Sequence, residues 1–169
     1  MFKANPKILW FSMLLLAVAA AHAATYQIDS AHSAAAFTVR HMMVTNVSGA
    51  FSKVTGTVVY DPSNPAASRV EAVIDASSID TREPKRDAHL RSENFFDVAR
   101  FPTITFNSKR VEKAGEGRLR VVGDLTLRGV TREVVLEVEG PTPEISTPSG
   151  YRMGASATAS INRKDFGMT

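Results

Sequence analysis

No cysteine occurs among the 169 residues of the chain. Disulfides, haem attached through cysteine and thiolate metal sites are therefore excluded. A strong charge of one sign is also lacking, because 20 basic residues stand against 17 acidic ones, and two of the basic ones, Lys3 and Lys7, precede residue 24. Residues 24–169 are nearly neutral and carry no basic patch interleaved with aromatics, so the sequence argues against a nucleic-acid partner.

Long apolar runs are restricted to one segment, which begins at Ile8 and ends at Ala20. Two lysines precede it, and the small residues of Ala21-His22-Ala23 follow it. This arrangement predicts a secretory signal peptide over residues 1–23, and therefore a periplasmic or secreted protein. A membrane anchor is the less favoured alternative, since the run is shorter than the ~20 residues that a membrane-spanning helix needs.

Alternation of apolar and polar residues dominates residues 24–169 and predicts antiparallel strands with one dry face. The clearest dry faces are those of Leu119, Val121, Gly123, Leu125 and Leu127, and of Val134, Leu136 and Val138. Arg128-Gly129 between them predicts a hairpin turn. A helix is predicted over residues 84–94, because a proline stands at its start.

Several predicted strands run for roughly ten residues, which is longer than the usual five to six. A sandwich also fits the alternation, but long strands in sequential hairpins favour an up-and-down barrel. The predicted fold is therefore all-β, an antiparallel up-and-down lipocalin-like barrel with one short helix. About seven strands precede Thr169, whereas small barrels of this type close with eight. The domain at residues 24–169 is therefore expected to lack its last strand at the C-terminus.

Small residues on the dry faces predict missing core volume. Met153, Ala155, Ala157, Ala159 and Ile161 would form a thin wall, to which Gly56, Ala72 and Gly123 add space. Either large neighbours fill this volume, or an apolar cavity holds a long, thin ligand without the help of buried charge. The residues predicted to line such a cavity are Phe37, Val39, Ile74, Phe106, Leu125, Leu127, Val134, Leu136, Met153, Ala155 and Ala157.

Catalytic and metal sites find little support. Asp29, His32 and Ser33 supply the residue types of a hydrolase triad, but adjacent residues at a strand start would point to opposite faces. His32 and His41 would lie roughly 30 Å apart along one strand, too far to share an ion. An enzyme that uses Asp29, His32 or His89 is kept as a third hypothesis, behind a ligand-binding barrel and a filled scaffold.

Several motifs in order resemble the YceI-like family of polyisoprenoid-binding proteins. They are YQIDSAHS at 26–33, FTVRH at 37–41, KRDAHLRS at 85–92, FPTITF at 101–106, GDLTLRGVT at 123–131 and INRKDFG at 161–167. The resemblance covers essentially all of residues 25–167.

This resemblance implies an exported eight-stranded barrel that holds a long isoprenoid chain, such as the tail of an isoprenoid quinone. It implies no catalytic residues, no metal and no cofactor, and a membrane b-type cytochrome as a partner. Family members usually continue past the Asp-Phe-Gly motif with a final strand, whereas this chain ends at Thr169. Exposed strand edges would then favour a homodimer. The alternative function is a ligand-free envelope stress or scaffold protein with a filled core.

Overall fold

The structure is a computed structural model that describes residues 23–42 and 44–168. The predicted signal peptide, residues 1–23, lies outside the described residues except for Ala23. The strands are β1 (Ala24–Gln27), β2 (Ala35–His41), β3 (Thr45–Phe51), β4 (Val54–Tyr60), β5 (Arg69–Asp75), β6 (Ile79–Asp80), β7 (Thr103–Lys113), β8 (Arg118–Leu127), β9 (Val130–Glu139), β10 (Ile145–Thr147), β11 (Gly150–Arg152) and β12 (Ser156–Thr158). One α-helix, α1 (Pro84–Arg91), and three 3₁₀ turns, at Pro65–Ala67, Ala76–Ser78 and Arg163–Phe166, complete the described elements.

The largest element is an antiparallel sheet in the order β1-β4-β5-β7-β8-β9-β12. Its longest strands, β7, β8 and β9, contain 11, 10 and 10 residues. The sheet curls into a half-barrel, which confirms the predicted all-β antiparallel fold with one short helix. No helix in the described part of the chain is long and apolar enough to cross a membrane.

The predicted hairpin turn between β8 and β9 is confirmed. Leu127 pairs with Val130, so that only Arg128 and Gly129 remain in the turn. Their φ angles are 51° and 72°, both in the left-handed region. A two-residue turn of this kind matches the twist of the flanking strands, and glycine adopts the required backbone without a steric cost.

The first strands depart from the sequential hairpins that their order in the chain predicts. β1 pairs with β4 rather than with its neighbour in sequence, and β2, β3 and β6 form a separate three-stranded sheet. Aromatic packing accounts for this arrangement, because the Phe51 ring contacts Phe37 at 5.7 Å and Phe96 at 5.3 Å between centroids. These rings hold the β2–β3 hairpin over one end of the half-barrel.

The predicted helix ends earlier than expected. It begins at Pro84 as predicted but stops at Arg91 rather than at Asn94. Ser92 ends it, because its backbone N–H donates to the carbonyl of His89 and its hydroxyl donates to the same oxygen at 2.7 Å.

The extended face predicted from Met153 to Ile161 is also corrected, because only β12 (Ser156–Thr158) is a strand within it and β11 ends before it. Between these two strands, the Gly154 N–H donates to Thr142 Oγ1 at 3.0 Å, and the Thr142 N–H donates to the Gly154 carbonyl at 2.8 Å. These bonds tie the segment to the loop after β9 instead of to a continuous ladder.

Two groups of apolar side chains form the core. The first, called the plug, closes one end of the half-barrel and consists of Phe51, Ala76, Ile79, Ile104, Leu127, Phe166 and Met168. The second lies on the concave face of the large sheet, with Phe106, Val111 and Val121 buried at its centre.

Candidate functional site

The concave face of the large sheet carries an apolar trough. Residues directly opposite each other in an antiparallel pair share a face. Phe106 pairs with Leu125, and Val121 pairs with Leu136. The apolar faces of β7, β8 and β9 therefore lie on the same side of the sheet. The trough consists of the buried Phe106, Val111 and Val121 and the half-buried Val70, Ala72, Leu119, Leu125, Val134, Leu136 and Val138.

The convex face of the same strands carries ion pairs, together with the buried Val122 and the partly exposed Val73 and Val135. Lys109 bridges Asp124 at 2.7 Å and Glu133 at 3.2 Å, and these contacts raise the pKa of Lys109. Arg120 contacts Glu137 at 3.0 Å. These ion pairs lie on the convex face, whereas the contiguous cluster of half-buried apolar side chains lies on the concave side.

The plug closes the trough at the end where the β8–β9 hairpin lies. Leu125 contacts both groups of apolar residues and so joins the trough to the plug. Phe37 and Ile74 pack against the plug from β2 and β5. This end of the half-barrel is filled by side chains, as the scaffold alternative expects.

The volume expected beside Gly123 is not empty. A Cβ built at this position would lie 2.6 Å from Phe106 Cζ and 2.5 Å from the carbonyl oxygen of Asn107. Phe106 therefore occupies the space that the glycine leaves. At Gly56 the same construction meets the Glu71 carbonyl oxygen at 2.0 Å, so there the backbones of β4 and β5 approach closely. These two glycines do not widen the interior.

The predicted lining residues fall into four groups, of which the fourth lies near β12. Phe106, Leu125, Val134 and Leu136 lie in the trough. Phe37, Ile74 and Leu127 belong to the plug or pack against it. Val39 is 44% exposed on the β2–β3 hairpin.

Met153, Ala155 and Ala157, three of the five residues of the predicted thin wall, lie in or just before β12, the edge strand of the large sheet. Ala157 pairs with Val138, which places it on the concave face, although it is exposed. Met153 is half-buried and Ala155 is exposed, and both lie between β11 and β12 rather than within a strand.

Arg132 on the concave face was missed by the sequence interpretation. It pairs with Leu125 and lies two residues before Val134, so the register gives it the same face as the trough. Its guanidinium donates to the Thr131 carbonyl at 3.3 Å, and no ion pair to it occurs within residues 23–42 and 44–168. The alternation along β9 indicates this position, because Arg132 lies two residues before Val134, but the predicted dry face begins only at Val134.

A hairpin connects the two ends of the large sheet. The segment between β9 and β12 contains the β10–β11 ladder, and its residues reach β1 at the opposite edge of the sheet order. Tyr26 Oη donates to Glu144 Oε2 at 2.5 Å, and Arg152 Nη1 donates to Asp29 Oδ2 at 2.7 Å. The hydrogen bond to Glu144 raises the pKa of Tyr26.

The imidazole of His32 contacts the same carboxylate, with Nδ1 2.9 Å from Asp29 Oδ2. Hydrogen bonds from His32, then from Arg152 and from the Ala31 N–H, lower the pKa of Asp29 to about 2. His32 lies in the turn before β2 and not at a strand start, as the argument against a triad had assumed. Its contact with Asp29 belongs to the junction between β1 and the hairpin.

Two surface depressions lie at the β9–β12 edge. One of about 470 Å³ is lined by Glu139, Gly140, Thr142, Gly154, Ala155 and Ser156. The other, of about 270 Å³, is lined by Ala114, Arg118, Arg120, Glu137, Val138, Glu139 and Thr158. Of the predicted lining residues, Ala155 alone contributes to either depression. In the part of the chain that the structure describes, no three His, Asp or Glu side chains are grouped to hold a metal ion.

Comparison with known proteins gives consistent matches over the whole domain. A family model described as the YceI-like domain matches residues 26–169. A UPF0312 protein of Yersinia pestis (strain Pestoides F) is 38% identical over 169 residues, which cover 98% of this chain and 88% of the relative. A UPF0312 protein of Yersinia enterocolitica is 40% identical over 158 residues, with 92% and 82% covered.

Solved structures have the same fold. The YceI protein of Campylobacter jejuni superposes with a TM-score of 0.67 at 29% identity, over 84% of this chain and 83% of that one. A polyisoprenoid-binding domain from Saccharophagus degradans, implicated in plant cell wall breakdown, superposes with a TM-score of 0.51 at 19% identity, over 73% and 71%. The second likeness concerns the fold alone. These neighbours have the lipocalin-like barrel to which the curled sheet corresponds.

Proposed function

Because the chain belongs to the YceI-like family, we propose that it is an exported lipid-binding protein whose apolar trough holds a long isoprenoid chain, such as the tail of an isoprenoid quinone. The protein would bind its ligand without transforming it. The name of the polyisoprenoid-binding neighbour indicates which class of ligand to test.

The observation that carries the proposal is the half-buried apolar surface of the trough. Val134, Leu136 and Val138 alternate along β9 with exposed Val135, Glu137 and Glu139, yet none of the three is fully buried. Soluble proteins rarely leave a contiguous apolar patch uncovered unless a ligand or partner uses it. The plug, in contrast, is already filled by side chains.

The shape of the trough favours a long ligand over a compact one. β8 has 10 residues, which corresponds to roughly 33 Å of strand. Each buried methylene contributes about 0.8 kcal/mol, so a chain that follows the strands can bind tightly through apolar area. Arg132 adds one cation on the same face, which is suited to donate to a ligand oxygen such as a quinone carbonyl.

The alternative is a ligand-free envelope stress or scaffold protein, and two observations favour it. The plug is packed, and the Phe106 ring fills the space beside Gly123. In this case the trough would be covered by another protein surface, or by a second copy in a homodimer. Sedimentation of the purified protein with and without lipid separates these states.

Export to the periplasm follows from the predicted signal peptide over residues 1–23 and is part of the proposal. A membrane b-type cytochrome would be a partner that receives or supplies a quinone. Fractionation of cells that express the full chain, with a second form lacking residues 1–23, tests the location. Loss of periplasmic recovery in the shortened form is expected.

The binding proposal is tested by native mass spectrometry after incubation with solanesol, a long isoprenoid alcohol, or with a long-tailed ubiquinone. Leu136→Gln should abolish the bound mass, because it places an amide in the trough. Val135→Gln is the matched control, since Val135 is the adjacent residue on the convex face and 42% exposed. If the wild-type protein stays empty, or if both variants retain the ligand equally, the trough is not the binding site.

A further inference from the structure

The β10–β11 hairpin, residues 145–152, is joined to β1 and to the turn after it through polar side chains at its two ends. Its ladder pairs Ile145 with Arg152 and forms a two-stranded sheet of its own, with no strand of the large sheet alongside. The contacts that fix it are those of Tyr26 with Glu144 and of Asp29 with Arg152. These residues come from the first strand region and from the connection between β9 and β12, near opposite ends of the sheet order.

These contacts show where the hairpin lies. A connection that leaves β9 can touch β1 only if the sheet curls until its two ends approach each other. Tyr26 pairs with Val58 and Ala24 pairs with Tyr60, so Tyr26 shares a face with the apolar positions of β4. Val58 in turn pairs with Val70, which is a trough residue, so Tyr26 lies on the concave face of the sheet. The hairpin therefore closes the side of the trough where the large sheet has its two edges.

Movement of the hairpin as a unit is consistent with its local bonds. Within its tip, Thr147 Oγ1 donates to the Gly150 carbonyl at 2.6 Å, which holds the turn together. At its base, two hydrogen bonds join Thr142 to Gly154 and hold the two ends of the connection together. We call this pair of residues the neck. Gly154 belongs to the neck and Gly140 lies two residues before Thr142, and glycines at these positions supply the backbone freedom that a hinge uses.

The contacts with β1 are weak enough to open. The Arg152 and Asp29 side chains are 48% and 39% exposed. Exposed ion pairs are weak because solvent screens them, and they stabilise far less than a strand of ladder hydrogen bonds. Ile145 is 60% exposed and lies on the same face of the ladder as Arg152. That face thus carries an exposed apolar side chain next to Arg152.

We propose that residues 145–152 form a strap that opens and closes one side of the apolar trough, with the Tyr26–Glu144 and Asp29–Arg152 contacts as its latch. This inference rests on the proposed lipid-binding function. The strap lets a long chain enter sideways, between the edges of the sheet, and then covers it. The Asp29, His32 and Tyr26 residues of the YQIDSAHS motif thereby acquire a role in ligand exchange rather than in catalysis.

The test uses the absence of cysteine from the chain. In the double variant Tyr26→Cys with Glu144→Cys, a short bis-maleimide joins the only two thiols, whereas N-ethylmaleimide caps the same thiols without joining them. Uptake of solanesol from phosphatidylcholine vesicles is measured for both forms. The bridged form should load about tenfold more slowly or worse. Equal uptake rates in the bridged and the capped form would overturn the strap. If neither form nor the wild-type protein takes up solanesol, the lipid-binding function fails, and the strap fails with it.

A second measurement keeps the test independent of how that variant folds. Arg152→Gln removes one latch contact and should speed solanesol uptake by up to about fivefold, the size expected for the loss of one exposed ion pair. Lys53→Gln is the control, because it removes the exposed Lys53–Asp75 pair away from the hairpin. Arg152→Gln with wild-type uptake, or the same acceleration in Lys53→Gln, contradicts the latch.

Discussion

Arg152 and Asp29 are 123 positions apart in sequence, and Arg152 Nη1 donates to Asp29 Oδ2 at 2.7 Å. The contact joins the segment after β9 to the turn after β1, so it links the two ends of the large sheet. The same carboxylate oxygen contacts His32 Nδ1 at 2.9 Å. One acidic side chain thus organises the junction at which the curled sheet closes.

Titration of Asp29 reports on that junction. Its contacts with His32, Arg152 and the Ala31 N–H lower its pKa from 3.8 to about 2. Because the folded pKa is depressed, the stabilisation is present above the ordinary value and is lost as the pH falls from about 4 towards 2. Carboxyl chemical shifts measured by NMR should give a midpoint near 2, and Arg152→Gln should move it upwards. A midpoint at 3.8 in the wild type would contradict the observed contacts.

The Thr81 hydroxyl is predicted to stabilise the connection between β6 and α1. Thr81 Oγ1 donates to Asp87 Oδ1 at 2.6 Å and accepts from Arg86 Nε at 2.8 Å, and the residue is only 3% exposed. Thr81→Val keeps the shape but removes one of the two hydrogen bonds to Asp87 Oδ1 and the acceptor of Arg86 Nε, so the free energy of unfolding, measured in urea, should fall by about 1–3 kcal/mol. Thr131→Val at an exposed position is the control. An equal, small effect in both variants would count against the network.

Gly123 is predicted to tolerate no side chain. A Cβ there would lie 2.5 Å from the Asn107 carbonyl oxygen and 2.6 Å from Phe106 Cζ. Gly123→Ala should therefore lower the free energy of unfolding by about 1–3 kcal/mol, as overpacking usually does. Gly154→Ala is the matched control, since its Cβ would meet nothing nearer than Thr142 Oγ1 at 4.0 Å. Thermal unfolding of both variants measures the difference, and an unchanged melting temperature for Gly123→Ala would refute the close contact.

Arg132 is predicted to recognise oxygen in the ligand rather than its hydrocarbon part. Arg132→Leu should weaken binding of a long-tailed ubiquinone about tenfold, the size expected for a lost hydrogen bond to a charged group. Binding of squalene, an isoprenoid hydrocarbon without oxygen, should be unchanged. Fluorescence competition with both ligands measures the two affinities. A parallel loss for squalene would instead indicate that the variant disturbs the trough itself.

Much of the large sheet could be predicted from local patterns. The alternation of Leu119 to Leu127 and the turn at Arg128-Gly129 predict β8, β9 and their hairpin, because a dry face and a left-handed turn are encoded in a few adjacent residues. The helix start at Pro84 could also be predicted locally, because proline favours the first position of a helix. Its end at Arg91 depends on the hydrogen bonds of Ser92 to the His89 carbonyl, and the pattern of apolar residues does not predict these bonds.

Features that depend on distant residues could not be read from the sequence. The separate β2–β3–β6 sheet follows from the contact of Phe51 with Phe37 and Phe96, which are far apart in the chain. Filling of the Gly123 space by Phe106 requires the register of β7 against β8. The position of Arg132, in contrast, could have been predicted from the alternation along β9, since it lies two residues before Val134.

The central claim is that a long isoprenoid lies in the apolar trough. Its most direct test is photo-crosslinking of the protein with a solanesol analogue that carries a diazirine in its chain, followed by peptide mass spectrometry. Adducts are expected on concave residues such as Leu119, Val134 and Leu136. Adducts confined to the convex Val135 and its neighbours, or their absence at saturating analogue, would contradict the account.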